Sequence, residues 1–208
     1  MSGVELAVLW LAWVLGGASP GPATLALAGT GMRRGRPTAM ALAAGIVTGS
    51  AAWGVAAGLG LGAAMLAEVW LAETLRYVGA AYIMWLALRS LRSALRPSSL
   101  PNAAALPSTR PERAFVHGLL LHLTNPKAIF SWGAVFAVAV PVGAGPSTII
   151  GVWLLLLTGS VLVFFGYALL FSRPSMMARY LRARRWIEGA FGLLFGGAAI
   201  ALVTAGPA

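Results

Sequence analysis

The chain has 208 residues, of which 59% are hydrophobic and 10% charged, and its mean hydropathy is +0.84. A water-soluble domain carries about 25% charged residues, so this composition excludes a protein that covers itself in water and points to a helix bundle in lipid. Cysteine and aspartate are absent, and the five acids are scattered at Glu5, Glu68, Glu73, Glu112 and Glu188. That excludes disulfides, thiolate chemistry and a carboxylate-bound di-metal site, and no cofactor or metal is expected.

The formal charge of +10 invites a nucleic-acid reading, but thirteen of the fourteen arginines fall in three groups, Arg33 to Arg36, Arg89 to Arg113 and Arg173 to Arg185. Each group lies between apolar runs, where the positive-inside rule places cytoplasmic loops. A basic surface divided among short loops offers no groove for a nucleic-acid backbone to follow, so nucleic acid is excluded as a partner.

Runs of about 20 apolar residues mark membrane spans, and six are predicted: Val4–Thr30, Thr38–Leu66, Thr74–Leu95, Ala114–Val140, Ser147–Phe171 and Trp186–Thr204. The arginine groups follow the first, third and fifth spans, so both termini are expected outside.

The first span contains SPGPATLAL, with Ser19, Pro20, Gly21, Pro22 and Thr24. Proline donates no backbone hydrogen bond and its ring clashes with the carbonyl one turn earlier, so this stretch should unwind more than a turn. Gly17 to Gly21 also fits the G-x-S-x-G pattern of serine hydrolases. Pro20 removes the N–H that would form half of the oxyanion hole, which leaves a hydrolase using Ser19 as a weak alternative.

The second span carries Gly45, Gly49, Gly54, Gly58 and Gly62, with Thr48 and Ser50 among them. Small residues at this spacing let helix backbones approach closely, and both hydroxyls are candidates to face a pathway. A dinucleotide-like G-L-G-L-G-A lies here without a preceding strand and is discounted.

After the third span, 97–113 is polar and rich in proline and reads as a cytoplasmic linker. It divides the chain into 1–96 and 114–208, with three spans each. An odd number of spans per half forces the halves into opposite orientations, so the expected fold is an all-α polytopic membrane protein with six transmembrane helices arranged as two inverted three-helix repeats.

The fourth span contains His117, His122, Thr124, Asn125, Pro126 and Lys127, the last being the only lysine. A shift of about 106 residues lays Ser19-Pro20 over Asn125-Pro126, and Pro20 and Pro126 each lie 13 residues from an arginine, Arg33 and Arg113. At about 1.5 Å per residue both breaks belong near the bilayer midplane. Irregular backbone at that depth survives only against protein or a wet cavity, and paired interruptions in two halves point to a transport site. An ammonium there costs about 2.5–3.5 kcal/mol, so Lys127 should face the interior rather than lipid, with snorkelling as the alternative. His117 belongs near the interface, whereas His122 is deep enough to serve the pathway.

SPGP, the GMRRGR turn, NPKA and LRYVGAAYIMWLALRSLRS in the third span together closely resemble the LysE-type translocators, bacterial inner-membrane exporters of lysine, arginine, homoserine, threonine and related solutes. The resemblance implies efflux of amino acids or similar zwitterions, with Pro20, Gly21 and Pro22 matching the family's first motif and Asn125, Pro126 and Lys127 its second. It departs at Ala23, where members often carry asparagine, and at Ser50, where many carry aspartate. Glu188, at the inner edge of the sixth span, is the carboxylate left to serve proton coupling.

The expected protein is therefore an exporter and not an enzyme, embedded in the inner membrane and working by alternating access. Its partners would be a small-molecule solute and the bilayer, and a homo-oligomer is compatible with the pattern. The expected pathway comprises Ser19, Pro20, Gly21, Pro22, Thr24, Thr48, Ser50, His122, Thr124, Asn125, Pro126 and Lys127. A non-transporting membrane scaffold, whose breaks only permit close packing, is the competing reading.

Overall fold

A computed structural model describes residues 2–65, 69–95, 110–141 and 144–204. They form eight helices: α1 Gly3–Ala18, α2 Pro22–Arg34, α3 Arg36–Met65, α4 Val69–Leu95, α5 Pro111–Leu123, α6 Pro126–Ala139, α7 Pro146–Phe171 and α8 Pro174–Thr204. No strand occurs among the described residues. The expected linker lies, from 97 to 109, outside them.

The predicted first span is two helices, α1 and α2, meeting at a 60° bend. The fourth is likewise divided into α5 and α6. By length and composition, Arg36–Gly60 of α3 and α7 can each cross a membrane, and the bent α1–α2 pair is a third crossing if it is taken as one span. Large side chains on the outside are apolar, among them Val4, Leu59, Val138 and Leu193. A soluble monomer does not leave so much apolar surface uncovered.

Two arginine groups differ from the loops expected of them. Arg33 and Arg34 end α2, and Arg36 already begins α3. The single residue between them is Gly35 at φ +80°, a conformation that a side chain would strain. The group from Arg179 to Arg185 lies inside α8, which starts at Pro174 rather than near Trp186. Hydropathy marks where a helix leaves hydrocarbon, and the helix itself runs on because arginine is a good helix former.

Helices α3 and α5 pack together closely, as do α4 and α8. Glycine makes the first contact: a Cβ on Gly45 would collide with the Phe115 carbonyl oxygen, and one on Gly118 with the Leu42 carbonyl oxygen. Gly49 lies over His122, while Gly54 faces Trp153 and Gly58 faces Ile149. The stripe of small residues therefore serves packing as read, with Gly62 outside the residues whose surroundings are described.

Two buried apolar clusters result. One joins α2, α3, α5 and α7 through Leu27, Leu42, Ile46, Ala114 and Phe164. The other joins α6 to α7 through Trp132, Phe136, Val152 and Leu156, with Trp13 of α1 and Trp53 of α3 against it.

Candidate functional site

Both breaks are capped starts of new helices, not kinks in old ones. Pro22 is the first residue of α2 and Pro126 the first of α6, where the missing N–H is one that no helix would have bonded. The first interruption is thus Ser19 to Gly21, three residues. That is just under a turn and shorter than the expected unwinding, because proline at that position initiates helix immediately.

The carbonyls that the prolines leave unbonded all find partners, as buried backbone must. Ala18 O, four residues before Pro22, accepts the Tyr167 hydroxyl at 2.7 Å. Ser19 O accepts Lys127 Nζ at 3.1 Å and the Thr24 hydroxyl at 3.3 Å. Gly21 N–H donates to Thr24 Oγ1 at 2.9 Å. In the second break, His122 O accepts from Asn125 N–H at 3.1 Å. Asn125 Oδ1 in turn caps α6 by accepting the Lys127 N–H at 3.1 Å.

Lys127 joins the two breaks. Its ammonium donates to the carbonyl and the hydroxyl oxygen of Ser19, 108 residues away, and its stem lies over Gly21. It does not snorkel. The Ser19 hydroxyl donates its own hydrogen bond to Gly16 O at 2.8 Å.

Beside this junction lies a cavity of about 230 Å³, a little below the range of about 300–1,000 Å³ typical of drug-sized ligands and suited to a small solute. It runs along α1 and α6 from Lys127 past Ser131 and Val135, with Gly159, Ser160 and Phe164 of α7 on one wall and Phe195 of α8 on another. Among the described lining residues Lys127 is the one charged side chain, and none is an acid.

Of the expected pathway residues, the structure gathers Ser19, Gly21, Thr24, Ser50, His122, Asn125 and Lys127 around the cavity. Pro20, Pro22 and Pro126 shape the breaks without lining it. Thr48 and Thr124 are placed elsewhere: both are exposed, and their hydroxyls turn back to Ala44 O at 2.9 Å and Leu120 O at 2.8 Å. Glu188 is buried in α8, where it accepts the Ser93 hydroxyl at 3.0 Å, and it does not line the cavity.

A crossed polar node on the cavity wall went unread in the sequence. Trp13 of α1 donates to Ser160 of α7 at 3.0 Å, and Trp132 of α6 donates to Ser50 of α3 at 3.1 Å. The two hydroxyls lie 3.2 Å apart, and the indoles meet edge to face at 4.6 Å between centroids. One signal was available: each tryptophan lies six residues from its break, Trp13 before Ser19 and Trp132 after Pro126.

With this geometry established, comparison with known proteins is decisive. Residues 14–206 match the model of the LysE type translocator family. The chain belongs to that family. This LysE-type chain is 33% identical over 186 residues to the threonine efflux protein of Escherichia coli (strain K12), covering 89% of the chain and 90% of that relative. It is also 33% identical over 195 residues to the leucine efflux protein of Enterobacter sp. (strain 638), covering 89% and 88%. To the homoserine/homoserine lactone efflux protein of Salmonella typhimurium it is 28% identical over 194 residues, covering 89% and 91%. No solved structure matches. The family and the apolar helices together make this LysE-type chain an integral membrane protein of the translocator type.

Proposed function

We propose that this LysE-type chain is a secondary transporter of the bacterial inner membrane that exports a neutral amino acid or a related small zwitterion by alternating access. The observation that carries this reading is the reach of Lys127 from the second break to Ser19 in the first, beside a solute-sized cavity. A carboxylate competing for that ammonium would release Ser19 and occupy the junction. The relatives named for threonine, leucine and homoserine efflux favour solutes of this size and charge.

The six-span inverted repeat is part of the proposal. Exchanging the halves carries the packing of α3 on α5 and α6 into that of α7 on α1 and α2, while the α3–α7 and α4–α8 contacts map onto themselves. The α2–α3, α4–α6 and α2–α5 contacts have no equal counterpart. With the arginine-bearing ends inside, α1 and α6 become the outer halves of their spans, so the cavity beside them lies on the outer side of the breaks.

One test follows from the absence of cysteine. Ala134, which lines the cavity, and Ala26, on the opposite side of the break, are each replaced by cysteine. The expected outcome is labelling of Ala134→Cys from outside intact cells by a membrane-impermeant maleimide, and none of Ala26→Cys. The reverse pattern would invert the orientation.

The direct test is flux. Purified protein in liposomes should show saturable counterflow of at least one neutral amino acid from a broad panel. A panel with no saturable flux in either direction would leave the scaffold reading in possession. The Ser19–Lys127 contact also resembles a nucleophile–base pair. It lacks oxyanion donors, since Pro20 has no N–H and that of Gly21 is held by Thr24, and the hydrolase reading gains nothing from it.

A further inference from the structure

His122 ends α5 three residues before Asn125 and is 4% exposed. Its ring meets Phe164 edge to face at 5.4 Å between centroids, and its Cβ lies 3.0 Å from where a Cβ on Gly49 would stand. The imidazole is therefore positioned from two helices. Yet Nδ1 is one of three buried side-chain polar atoms, with Thr30 Oγ1 and Trp53 Nε1, that have no hydrogen-bond partner among the described residues. Of these three residues only His122 lines the cavity. Buried polar atoms are nearly always paired, and one left alone on a residue that lines a cavity calls for an explanation.

The other buried acceptors around the junction are engaged. Ser19 O takes Lys127 and Thr24, Asn125 Oδ1 takes the Lys127 N–H, and the hydroxyls of Ser50 and Ser160 take the two indoles. With no acid among the described lining residues, a zwitterion whose carboxylate meets Lys127 finds no carboxylate there for its ammonium. A neutral imidazole with its proton on Nε2 presents Nδ1 as an acceptor.

We propose that His122 Nδ1, closed to solvent in this conformation, accepts a hydrogen bond from the α-ammonium of the transported solute when the cavity opens around it, so that Lys127 and His122 together read the two ends of an α-amino acid. This rests on the export reading above and adds how the amine is recognised. It requires the amine N–H, and so predicts discrimination against solutes that keep the carboxylate and lose that donor.

The test uses the full chain in liposomes with threonine and its deaminated analogue, 3-hydroxybutanoate, which keeps the carboxylate and has no donor on Cα, as probes. The wild type should prefer threonine. His122→Leu should lower the threonine-to-analogue ratio of transport efficiency about tenfold or more, the loss of one hydrogen bond to a charged group. His122→Asn, which keeps an acceptor, should retain part of the preference. A ratio unchanged in His122→Leu, with both solutes slowed alike, overturns the proposal. Should that variant fail to accumulate, N-trimethylated threonine decides on the wild type. It carries both charges and no N–H, and competition equal to that of threonine would likewise overturn the assignment. A wild type that moves no amino acid at all fails the export reading instead, a separate outcome.

Discussion

Lys127→Met should lower export about tenfold or more while leaving the folded protein in the membrane. The lost term is a charge-assisted hydrogen bond to the solute, and such bonds contribute about 1.5–3 kcal/mol, one to two powers of ten in affinity or rate. Stability should not follow activity. Methionine matches the stem that lies over Gly21, Ser19 O keeps the Thr24 hydroxyl at 3.3 Å, and an intramembrane charge costing about 2.5–3.5 kcal/mol is removed. Lys127→Arg keeps the charge but must fit a branched fork beside Gly21, and is expected to lie between the two. Initial flux at matched protein level, together with the melting temperature in detergent, checks both halves of the statement. Wild-type flux from Lys127→Met would remove the central residue of the proposed site.

Gly45→Ala should have the largest effect on stability. Its new Cβ meets the Phe115 carbonyl oxygen, which is backbone and has no rotamer to adopt, so α3 and α5 must move apart. Overpacking costs typically about 1–3 kcal/mol, more where nothing yields, and a chain of this size loses about 2–4 °C per kcal/mol. A fall of about 6 °C or more is expected. Gly118→Ala opposes the Leu42 carbonyl across the same interface and should behave alike. The double variant should lose less than the sum, because helices already separated admit the second methyl at lower cost. Gly151→Ala, on α7 with nothing within 4 Å of the added methyl, is the matched control and should melt at the wild-type temperature. An unchanged melting temperature for Gly45→Ala would mean that the two backbones do not approach as described.

How much of this was readable beforehand depends on whether a feature is local. The breaks were, because Pro20, Pro22 and Pro126 act within one turn of themselves, and so was the interior placement of Lys127, because charge in lipid is costly wherever it occurs. Thr48 and Ser50 show the opposite case. Two residues apart on a helix they point about 200° apart, so both could not face one cavity, but only the packing of α3 against α6 and α7 selects Ser50. The start of α8 is not legible from apolarity, because its first turns are arginine-rich. The indole–serine contacts were missed because they join residues 147 and 82 positions apart, and no local pattern carries that information.

The tryptophan–serine node has a mechanical consequence. Each indole belongs to one half of the chain and bonds the serine of the other. Ser160 also donates to Leu156 O at 3.3 Å, which leaves the Ser50 proton for Ser160 and every donor satisfied without solvent. Sliding α1 away from α7 strands the Trp13 N–H, and sliding α6 away from α3 strands the Trp132 N–H, and only incoming water can take either up. Separation and wetting at this level are thus a single event, and a rearrangement that keeps the node dry must carry these four helices as one rigid piece.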